Sequence, residues 1–196
     1  MKTDSNNDRK QTVRLDKYLV SGYSPGAGLI RHGLWYVANI FFFINPLFPF
    51  YGAKRFLLRV FGASVGQGVV IKPRVNIKHP WRLTIGANSW IGEGVWIDDL
   101  VGRTNDNNVC ISQACYLLTG NHNCKSPKFE LFTDPTRIED GAWIGARAIV
   151  GPGITVGHMA VLTVGSVLTR NAEPSGIYAG NPAPRVRTRV PEYRGW

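Results

Sequence analysis

An aliphatic residue returns at every sixth position along most of this chain, and that period restricts the possible folds more than any other feature. From Ile138 the series runs Ile138, Ile144, Val150, Val156, Leu162, Leu168 without a slip. Earlier segments keep the spacing: Val65, Ile71, Ile77, then Ile85, Ile91, Ile97, then Ile111 and Leu117. Glycine often follows directly (Gly66, Gly86, Gly92, Gly145, Gly151, Gly157). A small residue often stands two places before (Ala63, Ser89, Cys115, Ala142, Ala148, Ala160, Ser166). Neither helical spacing nor period-two alternation fits this register. A short strand and a tight turn make one face of a prism, and three such faces close a coil. The aliphatic residues then stack coil upon coil and fill the interior. Glycine after each of them suits a turn that needs unusual φ/ψ. Parallel strands within such coils need no long crossover. The expected fold class is all-β, a parallel β-helix over residues 56–172. An aromatic, helical arm and polar N-terminus (1–55) precede it, and a short basic tail (173–196) follows.

The regularity fails in three places, and departures from a regular pattern are where function tends to sit. Two extra residues separate Ile77 from Ile85, in a stretch carrying His79, Pro80 and Trp81. The polar run DDLVGRTNDNN stands where a rung is expected between Ile97 and Ile111. The largest break, residues 118–137, reads as a loop leaving the coil and holds His122 in the string LLTGNHN. Histidine is the side chain best placed to take a proton near neutral pH, so His122 is a candidate general base. His32, in the arm, and His79 have weaker cases, and His158 reads as a surface turn residue. A zinc site needs paired histidines a few residues apart plus a third, whereas His122 stands alone, so no metal is expected.

Composition narrows the class. With 44% hydrophobic and 18% charged residues the chain is globular rather than disordered. The formal net charge of +10 invites nucleic acid, anionic lipid or a phosphorylated ligand. The basic residues are scattered, however, and the aromatic ones are bunched in the arm rather than interleaved with them, which argues against nucleic acid. Three cysteines, Cys110, Cys115 and Cys124, form no CxxC pair and read as small apolar residues of a reducing cytosol. The first 17 residues are polar, with no secretory apolar core. Residues 34–50 are uncharged but broken by Asn39, Asn45, Pro46 and Pro49, too short and interrupted for a span of about 20 apolar residues. Two readings stay open for this segment. It is a peripheral membrane anchor over residues 34–59, with Arg31, Lys54, Arg55 and Arg59 reaching anionic headgroups, or it is a cap on the end of the β-helix.

The strings IGEGVWIDDL, LLTGNHNCKSPKFEL, GAWIGARAIVGPGITVG, TVGSVLTRN and YAGNPAPRVRTR resemble the hexapeptide-repeat acyltransferases. The subfamily they are most similar to is the colanic-acid-biosynthesis O-acetyltransferases, with maltose, galactoside and nodulation-factor acetyltransferases as relatives. The resemblance implies a left-handed β-helix, a cytoplasmic homotrimer, and acetyl-CoA as donor in a cleft between adjacent subunits. It implies direct transfer to a sugar or glycan hydroxyl, with His122 as the base. Carried over by position, it puts Ala146 and Val164 against the pantetheine arm, Val164 replacing the usual alanine. It puts Thr169 and Arg170 at the far end of the cofactor and Arg187 at the nucleotide phosphates, where a guanidinium fork suits the ligand. Asp98 falls at the acceptor pocket, with Trp96 and Asn121 as further acceptor contacts. The usual upstream asparagine has no clear counterpart, and GRTNDNNVC departs from the family pattern, which leaves the acceptor open. The alternatives are an acetyltransferase for a small free sugar or xenobiotic, and a non-catalytic basic solenoid.

Overall fold

The computed structural model describes residues 13–18 and 22–190. Its body is a left-handed parallel β-helix of three faces. The first face stacks β1 (Ser64–Val65), β4 (Leu83–Ile85), β7 (Arg103–Asn105), β12 (Thr136–Ile138) and β15 (Thr155–Val156). The second stacks β2 (Val70–Ile71), β5 (Trp90–Ile91), β8 (Cys110–Ile111), β13 (Trp143–Ile144), β16 (Val161–Leu162) and β18 (Gly176–Tyr178). The third stacks β3 (Asn76–Ile77), β6 (Trp96–Asp98), β9 (Tyr116–Leu118), β14 (Ile149–Val150) and β17 (Val167–Leu168). A hairpin, β10 (Gly120–His122) with β11 (Leu131–Thr133), leaves the body, and β19 (Arg185–Thr188) pairs antiparallel with β18.

The repeat residues are the core, in columns. Ile71, Ile91, Ile111, Ile144 and Leu162 pair in register on the second face, and Ile77, Ile97, Leu117, Val150 and Leu168 on the third. Each is at most 1% exposed, and burying one such side chain stabilises the fold by about 1.5–3 kcal/mol. The run DDLVGRTNDNN does not displace a rung. It forms β7, and Asn105 takes the place of the aliphatic residue between Ile85 and Ile138. Arg103 sits fully inside, where the coils on either side have Leu83 and Thr136.

The repeat glycines serve a different purpose from the one their spacing suggests. Gly86 has no left-handed φ. A Cβ there would lie under 3.0 Å from the backbone of Asp106 and Asn107 in the next coil, so close stacking requires it. The left-handed residue comes two places later in the turn and is often not glycine, as at Asn88, Asn108 and Arg147.

The arm folds into α1 (Leu29–Ala38), a π-helical turn (Asn39–Ile44) and α2 (Tyr51–Val60), lying across the first coil. That coil has no predecessor, so its carbonyls form an open edge. Arg59 donates to the carbonyls of Val65 and Gly66, at 2.6 and 3.2 Å from Nη2. Arg55 donates to Val69 O at 2.7 Å, Lys54 Nζ to Lys72 O at 2.9 Å and Trp35 Nε1 to Ile77 O at 2.8 Å. Arg31 donates to Phe61 O. The four cations that the membrane-anchor reading puts at lipid headgroups donate to main-chain carbonyls. Lys54 is fully buried, and burial pulls its ammonium down to about 8. Among the described residues no helix is long and apolar enough to cross a membrane.

Candidate active site

All three interruptions fall at one corner of the prism, between the third face and the first, and they stack on one another. They occupy residues 78–82, 99–102 and 119–135. Hydrogen bonds join them in order. The His79 amide donates to Asp99 Oδ1 at 2.7 Å, and the Leu100 amide donates to Thr119 Oγ1 at 2.8 Å. The Thr119 hydroxyl donates to Asp98 O at 2.5 Å, and the Thr136 hydroxyl to Leu118 O at 3.0 Å. Gly120 of the TGNH string packs against the end of the Leu100 side chain, which would have to turn aside for a Cβ.

His122 ends β10. Its ring stacks on Phe129, with centroids 4.5 Å apart and planes 3° from parallel, and Tyr18 lies 5.7 Å away. Nδ1 is 3.0 Å from Phe129 O. A carbonyl only accepts, so that bond places the proton on Nδ1 and leaves the lone pair on Nε2. His122 lines a cavity of about 590 Å³ with Asp98, Lys78, His79, His32 and Tyr23. Lys78 Nζ pairs with Asp98 Oδ1 at 3.0 Å. His32 and His79 meet edge to face at 5.2 Å, and both contact Trp81. Burial holds His79 neutral, down to about 4.

Behind this wall is a charged interior. Asp99 and Arg103 are buried, and burial pushes the Asp99 carboxyl up to about 6 while it lowers Arg103 to about 10. Arg103 Nε and Nη1, Asp99 Oδ2, Asn105 Nδ2 and His79 Nδ1 have no hydrogen-bond partner among the described residues.

The structure brings together some of the residues singled out in the sequence and separates others. Asp98 and His122 share the cavity. Asn121 is exposed, and its Oδ1 accepts from the His122 amide at 2.8 Å. Trp96 stacks on Tyr116 at 6.0 Å and lines a neighbouring cavity of about 440 Å³. Ala146 and Val164 sit side by side at the corner between the second and third faces, joined by Gly165 N to Ala146 O at 2.8 Å. Thr169 and Arg170 lie on the His122 corner, two coils further on, beside Pro182 and Pro184. Arg185 pairs with Glu173 at 2.8 Å and Arg189 donates to the carbonyls of Gly141 and Met159. Arg187 is exposed, with no ion pair or side-chain hydrogen bond among the described residues. Tyr18, Tyr23 and Lys78 carried no signal in the sequence, because only the stacked corner and the arm folded over it bring them to His122. Among the described residues no cluster of three metal-ligating side chains occurs.

Comparisons with known proteins place this fold of stacked hexapeptide coils in a class of group-transfer proteins. A model of the hexapeptide repeat of succinyl-transferase matches residues 135–170. The chain is 34% identical over 176 residues to an Escherichia coli (strain K12) protein named for colanic acid biosynthesis, an acetyltransferase, covering 87% of this chain and 97% of the other. It is 27% identical over 137 residues to the Escherichia coli (strain K12) galactoside O-acetyltransferase, covering 68% of each. A Vibrio cholerae hexapeptide-repeat acetyltransferase solved with acetyl coenzyme A superimposes with a TM-score of 0.73 at 21% identity, over 83% of this chain and 87% of that one. The chain belongs to the hexapeptide-repeat acyltransferases, within the acetyltransferase branch that includes the colanic acid protein.

Proposed function

We propose that this protein transfers the acetyl group of acetyl-CoA directly to a sugar hydroxyl of an exopolysaccharide or its precursor, with His122 as general base. The observation that carries this reading is the Nδ1 bond to Phe129 O at 3.0 Å, which leaves Nε2 able to accept a proton beside the cavity. The donor supplies an acyl carbon activated as a thioester. The chain's own residues do the rest. The cavity holds the acceptor so that one hydroxyl meets Nε2, and orientation lowers the barrier. Asp98 and Lys78 offer an acceptor and a donor to neighbouring hydroxyls. As Nε2 takes the proton, the hydroxyl oxygen bonds to the thioester carbon and the C–S bond breaks. The imidazolium, held by the Phe129 carbonyl and the ring stack, then returns that proton to the departing thiolate.

Ala146 and Val164, small or exposed on their turn, would line the pantetheine path, with Thr169, Arg170 and Arg187 toward the nucleotide. The first two stand at a different corner from His122, which supports a homotrimer in which one chain's groove wall meets another chain's histidine. The exposed Trp90 and Trp143, on either side of Cys110, offer an apolar ridge for that contact. Peripheral membrane contact over residues 34–59 would rest on apolar side chains such as Leu34, Phe41 and Phe56, since the nearby cations are engaged. The test is release of free thiol from acetyl-CoA with a panel of nucleotide sugars, free sugars and lipid-linked oligosaccharides. His122→Ala should lower turnover roughly a hundred- to ten-thousand-fold with CoA binding intact. Near-normal turnover in that variant rejects the mechanism.

A further inference from the structure

Two aromatic rings of the His122 cavity, Tyr18 and Tyr23, come from the stretch before the arm rather than from the β-helix. Contacts on both sides of the cavity hold that stretch against the interrupted corner. At the hairpin, the Arg14 amide donates to Pro127 O at 2.7 Å. At the first interruption, Trp81 Nε1 donates to Pro25 O at 2.9 Å, and Arg82 donates to Ser24 O. The Arg82 guanidinium also lies over the Tyr23 ring, 5.7 Å from its centre. Tyr18 stands 5.7 Å from the His122 ring. Both tyrosines are only half-buried, so each keeps uncovered surface at the cavity.

The lining of this cavity is of two kinds. Asp98 and Lys78, paired at 3.0 Å, supply its charge. Tyr18, Tyr23, Leu100 and Leu131 supply surface that is mostly apolar. A hexopyranose divides its chemistry in the same way. Its hydroxyls surround the edge of the ring, and its flat faces carry C–H bonds. The negative face of an aromatic ring attracts such hydrogens. We propose that Tyr18 and Tyr23 determine specificity for the acceptor by receiving the C–H face of its hexopyranose ring, while the hydroxyl edge meets Asp98 and His122. This inference rests on the reading of the cavity as the acceptor's seat. It gives the segment before the arm a part in recognition that the short coils of the repeat do not supply. An open-chain polyol carries the same hydroxyls but has no flat face to offer.

The experiment uses the full chain with protonated tyrosines in an otherwise deuterated background. The probes are the methyl glycosides of glucose, galactose and mannose. Saturating the tyrosine ring protons should transfer magnetisation to the C–H protons on one face of the bound sugar. Tyr18→Phe with Tyr23→Phe, the new rings being deuterated, should abolish that transfer. Affinity should stay within about threefold of the parent, because an aromatic face remains. Tyr18→Ala and Tyr23→Ala should each weaken binding about three- to tenfold, and sorbitol should bind more weakly than any of the three glycosides. Failure of all three glycosides to bind, or transfer that persists in the double phenylalanine variant, would overturn the proposal. So would alanine variants that bind as the parent does. His122→Ala should bind the glycosides like the parent while losing turnover, so failure of the base assignment shows separately. Turnover on a sugar acceptor without these tyrosine contacts would reject the platform and leave the transfer reading standing.

Discussion

Two corners of the same prism are built in opposite ways. Between the second and third faces the turns at 72–75, 92–95, 112–115, 145–148 and 163–166 are all of one length. Between the third face and the first, the core positions Ile77 and Ile85, and Ile97 and Asn105, are eight residues apart and Leu117 and Ile138 twenty-one, against six at the regular corner. The regular corner keeps each coil in register with the next. The irregular corner is free to vary because each insertion leaves the strands it joins paired, Ile77 to Ile97 to Leu117 on one side and Leu83 to Arg103 to Thr136 on the other. A solenoid can therefore build a site from stacked insertions without disturbing its core. The insertions also carry polar groups inward, and the charged interior at Asp99 and Arg103 lies behind this corner.

The sharpest way to break this contrast is to make the irregular corner's interior apolar. Arg103→Leu restores the side chain that its neighbour Leu83 has, but it leaves Asp99 buried beside no cation. It should cost about 3–5 kcal/mol in denaturant unfolding, and adding Asp99→Asn should recover much of that. A neutral Arg103→Leu would mean that the interior charges do not support one another. At a regular turn, Gly86→Ala drives a Cβ into the Asp106 backbone and should cost about 2–3 kcal/mol. A cost below about 0.5 kcal/mol would show that the coils can move apart. At the open end of the helix, Arg59→Ala removes the donor from Val65 O and Gly66 O. It should cost about 1–3 kcal/mol, and no loss would assign the capping to Arg55 and Lys54.

The smallest effect concerns pH. Asp99 is raised from 3.8 to about 6, so its contribution is full below pH 3.8 and is lost as pH rises through 6. His79 is lowered from 6.5 to about 4, so its contribution is full above pH 6.5 and is lost as pH falls through 4. The two oppose each other over one window. Asp99→Asn, which keeps an acceptor for the His79 amide, should leave stability rising from pH 4 to 6.5 more steeply than in the parent. Denaturant midpoints at pH 4, 5 and 6.5 check this, and identical profiles would contradict it.

The regular corner was legible in the sequence because each rung repeats the same aliphatic residue. The rung at Asn105 was not, since its inward positions carry polar groups that satisfy no periodic rule. His122 was legible as the histidine of the longest interruption. That His32, His79 and Lys78 lie beside it was not, because sequence spacing does not say that three insertions share a corner. Nor could the capping by Lys54, Arg55 and Arg59 be read, since their partners are main-chain carbonyls with no sequence signature, and cations near aromatic residues look the same on a membrane anchor. The repeat glycines showed where the turns are but not why, because contact with the next coil and a left-handed φ both select glycine.

The central claim is that the interrupted corner holds the chemistry while the regular turns hold the fold. It is tested most directly by measuring acetyl transfer and unfolding free energy together in His122→Ala and Gly86→Ala. His122→Ala should lose transfer roughly a hundred- to ten-thousand-fold at nearly unchanged stability, and Gly86→Ala should lose stability yet retain transfer per folded molecule. Turnover surviving in His122→Ala, or a collapse of stability that accounts for its loss, would contradict the account.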